Sequence, residues 1–229
     1  MNKKKSIDII IPAFNEEDKI KYTLDALKTI ENSRIILIDD DSNDRTIDIV
    51  KGLSIPKLLC IKHDTNRGKG KAVKTGIENS DADIICLLDA DLGDTAIEAE
   101  KLIAPVINNE ADFTIARFGK AKKKGGFGLV KKLAAWGVKH YTGVEMSTTL
   151  SGQRAYKREV LEDIKYIPDD FGMEIAMTVE ALMAGYSFKE IDVNMTHSES
   201  GRDLKGFKHR GKQFLDILKT IIKLKSKCR

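Results

Sequence analysis

The stretch Ile84-Ile85-Cys86-Leu87-Leu88-Asp89-Ala90-Asp91 decides the fold. An unbroken apolar run closed by acids fits a strand buried on both faces, the signature of a parallel sheet covered by helices. Asp89 and Asp91, one residue apart, then stand where that strand emerges into solvent. Carboxylates so spaced can share the oxygen shell of Mg²⁺ or Mn²⁺, and these hard cations usually complete the shell with substrate phosphates. Alone, the Asp-x-Asp pattern is a weak signal. Upstream, Ile35-Ile36-Leu37-Ile38 runs into Asp39-Asp40-Asp41-Ser42, a second acidic strand end, and the loop Arg67-Gly68-Lys69-Gly70-Lys71 lies between the two.

Outward from these runs, 7–11, 34–38, 57–62, 84–88 and 113–116 read as strands. Helical patterns at about 18–29, 46–51, 72–79 and 95–107 separate them. Such alternation predicts an α/β fold with a mainly parallel sheet flanked by helices. Pro105 should kink or end the last of these helices. Ligands of such sheets bind beyond the carboxyl ends of the strands, where both acidic clusters fall. The second half is less regular. It offers a helix at 129–141, a short strand at 150–156, a helix from the 169–174 segment to 184, a strand at 187–195 and a final helix at 207–224. No linker or repeat divides the 229 residues, so one domain is expected, with a nucleotide-binding half over 1–116 and a smaller acceptor half over 117–229.

The net charge of +4 is unevenly spread. Between Arg117 and Lys139 there are eight Lys/Arg and no acid, and from Gly201 to Arg229 ten Lys/Arg face only Asp203 and Asp216. An anionic partner is implied. The interleaved aromatics of a single-strand binder are missing and the acidic half would repel a phosphate backbone, which argues against nucleic acid. A phosphorylated small substrate or an anionic membrane surface fits better. Cys60, Cys86 and Cys228 have no metal-ligand spacing and read as reduced thiols of a cytoplasmic protein. The basic start followed by a strand that stops at Pro12 does not read as a signal peptide. No apolar stretch has the roughly 18 residues of a spanning helix.

Taken together, Ile9-Ile10-Ile11-Pro12-Ala13-Phe14-Asn15-Glu16-Glu17, Ile38-Asp39-Asp40-Asp41-Ser42-Asn43-Asp44-Arg45-Thr46, Gly68-Lys69-Gly70 and Leu88-Asp89-Ala90-Asp91 resemble the ordered motifs of family 2 glycosyltransferases of GT-A fold. The resemblance implies transfer of a sugar from a nucleoside-diphosphate donor, usually UDP- or GDP-linked, with a divalent metal. It further implies that Pro12, Ala13, Asn15, Glu16, Asp39, Asp40, Lys69, Asp89, Ala90 and Asp91 bind the nucleotide-sugar, with Asp39 and Asp40 at base and ribose. Asp41 departs from the glycine common at its position, which bears on the turn. Ser151-Gly152-Gln153-Arg154 and the residues to Leu161 resemble polyprenyl-phosphate sugar transferases, though Thr148 stands where many carry aspartate. Gly125-Gly126-Phe127-Gly128, Phe171-Gly172-Met173-Glu174 and His197 look more like glucosyl-3-phosphoglycerate synthases, in which the matching histidine joins Asp91 and Asp89 around the metal.

The chemistry of the residues agrees. Departure of a nucleoside diphosphate develops negative charge that a cation at Asp91 would stabilise. Lys69, on a glycine loop, suits a phosphate contact, although a solvated turn lysine is the plainer reading. Glu174 and Asp170 compete as general base or sugar-hydroxyl ligand, and both would also be favoured simply as acids in a helix's first turn. Arg117, Gly126, Phe127, Ser151, Arg154 and the lysines at 122–124 are the candidates for holding a phosphate-bearing acceptor. The terminal helix, apolar on one face and basic at its flanks, can lie on a membrane or pack on the core. The expectation is a metal-dependent hexosyltransferase, with UDP-glucose as reference donor and a polyprenyl phosphate or a phosphoglycerate-like metabolite as acceptor. It would sit in the cytoplasm or peripherally at the inner membrane face, with room for a homodimer. A sugar-1-phosphate nucleotidyltransferase and a non-catalytic nucleotide-sensing or membrane-docking module are the rivals. The first would resemble a Gly-x-Gly-Thr-Arg loop where this chain has Pro12-Ala13-Phe14-Asn15, and intact Asp89, Asp91 and Glu16 argue against the second.

Overall fold

The computed structural model describes residues 4–119, 128–169, 171–196 and 204–227, with the side chains of the last helix described over 213–225. The strands are β1 Ile7–Ala13, β2 Ser33–Asp39, β3 Leu58–Lys62, β4 Ile84–Leu87, β5 Phe113–Phe118, β6 Arg154–Lys157 and β7 Phe188–Val193. They form one sheet in the order β3-β2-β1-β4-β6-β5-β7. Helices α1 Ile20–Leu27, α2 Thr46–Gly52, α3 Lys69–Glu78, α4 Ala99–Ile107, α5 Leu129–Thr142, α6 Arg158–Asp163, α7 Met173–Met183 and α8 Leu204–Lys227 complete the chain.

β1 runs parallel to β2 and β4, and β2 parallel to β3, in a register that sets Ile9 beside Ile35 and Cys86. β6 is antiparallel to both β4 and β5, and β7 is parallel to β5. Six strands therefore point the same way and deliver their carboxyl ends to one edge. Reversed β6 brings its start, Arg154, to that edge as well. The mainly parallel α/β sheet is as expected, and strands from both halves of the sequence are woven into it.

Alternation along the strands divides the core in two. Ile9, Ile11, Leu37 and Cys86 face Leu24 and Leu27 of α1 and Leu102 and Val106 of α4. Ile10, Ile36, Ile38, Ile85 and Leu87 face Val73 of α3 and Met173 and Met177 of α7. Each such buried Ile or Leu contributes roughly 1.5–3 kcal/mol. Ala134 and Val138 of α5 and Ile217, Ile221 and Leu224 of α8 meet Ile175 and Val179 on the outer side of α7. Thus α5 and α8 form a further layer. They cross at Gly137, where a Cβ would come within 2.7 Å of Ile221.

Local departures from the sequence reading have identifiable causes. The expected helix over 95–107 is a 3₁₀ segment, Gly93–Glu98, followed by α4. Pro105 lies inside α4, which ends only two residues later at Ile107, so few bonds are lost. The apolar start of the 150–156 segment is not strand, because β6 begins only at Arg154. The unforeseen α6 is fixed by buried Val160 and Leu161 and by the Arg158 side chain, whose Nε donates to Ala82 O at 2.7 Å. Among the described residues no helix is long and apolar enough to cross a membrane.

Candidate active site

The carboxyl edge of the sheet gathers the site from four segments. β1 ends in Pro12 and Ala13 and turns through Asn15, which adopts φ 56°. Its N–H donates to Ser42 Oγ at 3.0 Å and its Oδ1 accepts from Asn43 N at 2.8 Å, tying this turn to the one after β2. Asp41 takes φ 65°. An aspartate tolerates that left-handed conformation, so the turn that glycine usually makes is kept.

The two acids at the end of β2 part company. Asp39 is fully buried, and neither carboxylate oxygen has a hydrogen-bond partner among the described residues; Lys62 Nζ is 4.0 Å away. Asp40 is buried too, but its oxygens accept from Arg67 N at 3.0 Å, Gly68 N at 2.8 Å and the His63 ring Nδ1 at 2.6 Å. It is occupied in holding the Arg67-Gly68 loop. That loop opens α3, and its glycines are required by contact: a Cβ on Gly70 would lie 1.9 Å from Pro168 O, and one on Gly68, at φ 90°, 2.7 Å from Asp169 O. Gly70 N donates to Asp169 O at 3.0 Å.

So positioned, Lys69 reaches across to Asp89 Oδ1 at 2.5 Å and lies 3.8 Å from Glu174 Oε1. Burial would lower its pKa, but Asp89 and Glu174 hold it above the ordinary lysine value, so the ammonium stays charged. Gln153 Nε2 donates to Asp89 Oδ2 at 2.5 Å, so both Asp89 oxygens have partners. Gly152 permits this approach, since a Cβ there would sit 2.6 Å from Lys69 Nζ. Ala90 O accepts from buried Thr23 at 2.7 Å, and Asp91 O from Lys19 Nζ at 3.1 Å, which fixes the backbone under the Asp91 carboxylate. Glu16 is pushed up to about 7 by burial and then by Asp91 and Asp89.

Burial contributes most to that rise; the Asp91 and Asp89 carboxylates that add to it are oxygen donors of the kind a hard divalent cation takes. Among the described residues no group of three or more His, Cys, Asp or Glu is gathered to hold one. Asp91, with Asp89, would supply protein oxygens and leave the rest of the shell to a ligand. A cleft of about 360 Å³ borders Lys69, the partner of Asp89, and is walled by Arg67, Gly68, Lys69, Asp169, Phe171 and Glu174. This cluster of a charged lysine, acids and a glycine loop at strand ends suits a nucleoside diphosphate.

The family model for glycosyl transferase family 2 matches residues 8–165. The chain belongs to this family. Over 180 residues this glycosyltransferase is 31% identical to the UDP-N-acetylglucosamine–dolichyl-phosphate N-acetylglucosaminyltransferase of Methanococcus voltae, covering 69% of this chain and 72% of the other. It is 28% identical to the dolichol-phosphate mannosyltransferase of Pyrococcus furiosus, across 95% of this chain and 63% of that one. The glucosyl-3-phosphoglycerate synthase of Mycobacterium tuberculosis, solved with Mn²⁺, UDP and phosphoglyceric acid, superposes with a TM-score of 0.78 at 20% identity, covering 98% of this chain and 78% of that one. This last likeness supports the GT-A fold.

In the second half of the chain the expected site residues fall as follows. Arg154 is 1% exposed and its guanidinium donates to Ser151 O at 2.7 Å, Tyr156 Oη at 3.1 Å, Glu174 O at 3.0 Å and Thr178 Oγ1 at 2.8 Å. It therefore organises the cleft wall from within and has no free face for an acceptor phosphate. Arg117 is engaged in a two-pronged ion pair with Asp192, at 2.6 and 2.7 Å. Ser151 is buried, its Oγ donating to Gln153 Oε1 at 3.2 Å. Gly126, Phe127, the lysines at 122–124, Asp170 and His197 lie outside the described residues. Sequence reasoning missed Gln153 and His63 as site-shaping groups. Polar residues bordering an apolar strand were the available signal for Gln153; nothing local distinguished His63.

Proposed function

We propose that this enzyme moves one hexose from a nucleoside-diphosphate sugar, with UDP-glucose as reference donor, to a phosphate-bearing acceptor, assisted by Mg²⁺ or Mn²⁺. The Lys69 ammonium, held by Asp89 and Glu174 at the mouth of the cleft, carries this reading. A permanently charged group there is matched to the charge that grows on the departing diphosphate. When bound at Asp91 and Asp89, the cation would add Lewis-acid stabilisation of the same charge. Pro12, Ala13 and Asn15 would form the wall for the nucleoside, with the buried Asp39 carboxylate, which has no hydrogen bond among the described residues, as its polar anchor. Asp40 would act through the loop it holds. Glu174, 13% exposed and salt-bridged to Lys69, would receive a hydroxyl of the donor sugar. An acceptor phosphate monoester is already ionised near neutrality and needs no general base.

A polyprenyl phosphate is the acceptor favoured by the outer face of α5 and α8, where Leu129, Trp136, Leu215 and Ile222 are exposed among lysines. Such a surface suits peripheral contact with the cytoplasmic leaflet. A phosphoglycerate-like metabolite is the soluble alternative. The test is nucleoside diphosphate release from UDP-glucose, UDP-N-acetylglucosamine and GDP-mannose, each with a polyprenyl phosphate or 3-phosphoglycerate, with and without EDTA. Lys69→Ala should reduce turnover on the order of 10²-fold, and EDTA or Asp91→Ala should abolish the metal dependence of nucleotide binding. Pyrophosphate release from UTP with glucose 1-phosphate, without nucleoside diphosphate release from the nucleotide sugars, would identify a nucleotidyltransferase. Absence of any turnover with retained nucleotide binding would identify a sensor.

A further inference from the structure

A second cavity, of about 440 Å³, lies behind the wall of the donor cleft, between α3, residues 165–169 with Phe171, and α8. Four lysines, Lys74, Lys165, Lys219 and Lys223, border it, against two acids, Asp169 and Asp216. Its volume falls within the range of small-molecule sites. Lys223 Nζ sits 4.5 Å over the Tyr166 ring, which holds the ammonium at the rim. On the floor, Asp216 is 7% exposed; its Oδ1 is 3.5 Å from Lys219 Nζ, and its Oδ2 has no hydrogen-bond partner among the described residues. The positive excess calls for an anion, and the buried carboxylate for a hydroxyl hydrogen beside it.

The cavity shares a wall with the donor cleft. Asp169 and Phe171 border both. The Asp169 carboxylate is ion-paired to Lys74, and its carbonyl oxygen accepts from Gly70 N at 3.0 Å, one residue from Lys69. We propose that this cavity is a second binding site, for a phosphate monoester that also bears hydroxyls, and that its occupancy lowers the affinity of the donor cleft. The phosphate would compete with Asp169 for Lys74 and loosen the tie between the 168–169 backbone and the start of α3. It would also place a second anion near the charge that Lys69 offers to the diphosphate. The coupling rests on the reading of Lys69 as a diphosphate contact; the binding does not. By linkage, the nucleotide must weaken the phosphate ligand by the same factor.

Glycerol 3-phosphate is the free probe, and vesicles of phosphatidylcholine with phosphatidic acid present the same chemistry as a lipid headgroup. Calorimetry on the full chain without nucleotide should show one glycerol 3-phosphate site. Its affinity should fall at least ten-fold in a Lys165→Ala, Lys219→Ala, Lys223→Ala variant whose melting curve and UDP affinity match the unaltered protein. Saturating probe should weaken UDP binding about five-fold in the unaltered protein and leave the variant unaffected. Binding to the vesicles alone, lost in the same variant, would assign the site to a headgroup. Probe binding that survives in the variant would place it in the donor cleft and overturn the second site, as would no binding of either probe. Probe binding lost in the variant but without effect on UDP would overturn the coupling. If UDP itself does not bind, the donor reading fails, while the direct titration of the probe still decides the second site.

Discussion

His63 governs a loop with which its ring makes no direct hydrogen bond. Its side chain bridges Asp40 at 2.6 Å and Thr75 of α3 at 3.0 Å, so the end of β2, the glycine loop and α3 move as one body. His63→Ala leaves Asp40 buried with only backbone amides to satisfy it, which should cost about 1–3 kcal/mol. Nucleotide affinity should fall about ten-fold while turnover at saturating donor changes little. Urea unfolding together with calorimetry at equal folded fraction checks this, and an unchanged affinity would remove the positioning role. Gly70→Ala is a harsher change, because the new methyl meets the Pro168 carbonyl at 1.9 Å and a backbone cannot rotate away. A stability loss of about 3 kcal/mol is expected, with nucleotide binding impaired by the displaced α3. A melting temperature like that of the original protein would show that the 168–169 segment yields freely. The glycine loop holding Gly70 was legible in sequence, whereas His63 and Pro168 were not, since they acquire their roles only from what they touch.

Among elements, the junction of β5, β6 and β7 depends on one carboxylate. Asp112, just before β5, accepts from Lys157 Nζ of β6 at 2.7 Å and from Ser187 N and Oγ, just before β7, at 2.8 and 2.7 Å. Burial alone would raise its pKa, but Lys157 and the Ser187 donors prevail and hold it at about 2. A depressed carboxyl stabilises the fold above its unfolded value of about 3.9 and ceases to do so as pH falls toward the folded value. The contribution is about 2 kcal/mol. Asp112→Asn should therefore lower stability near neutrality by roughly that amount. It should also flatten the decline of stability between about pH 4 and pH 2, as measured by urea titration at each pH. If the variant keeps the original acid limb, other carboxylates control it. The elements themselves were largely legible: β1, β2 and β4 are apolar enough to be read directly, and α5 and α7 from their caps and periodicity. β6 was legible as a short strand at 150–156 but not in its bounds, because its start at Arg154 is set by the carbonyls that the guanidinium finds.

For the whole molecule, the proposed membrane contact would be made by the outer layer. α5 and α8 both pack on α7, and on their solvent-facing sides Trp136, Leu129, Leu215 and Ile222 are each more than half exposed. An anionic bilayer matches this combination of apolar side chains and neighbouring lysines. The protein should float with vesicles rich in anionic lipid, and a Trp136→Ser, Ile222→Ser pair should largely abolish flotation without changing the melting curve. Raised salt should weaken it, since surface attraction is screened beyond roughly 10 Å at 0.1 M. If the protein stays in the bulk phase yet sediments as a dimer that the same pair dissociates, the face is a subunit contact. The lipid acceptor then loses its support.

The sequence by itself determined the α/β alternation, the direction of the sheet and the acids and glycine loop at its carboxyl edge. Those features are written in contiguous residues: apolar runs fix strands, periodicity fixes helices, and a parallel sheet must present its strand ends together. Tertiary structure alone decided which polar groups face the cleft and which hold it up. Asp39 and Asp40 are neighbours of one type, yet among the described residues the first has no hydrogen bond to its carboxylate and the second is bound by the loop after β3. Arg154 reads as an anion ligand and is instead enclosed by carbonyls, while Gln153 beside it reaches Asp89. The difference arises because a side chain's role is set by contacts tens of residues away, through the reversal of β6 between β4 and β5, which no local pattern encodes.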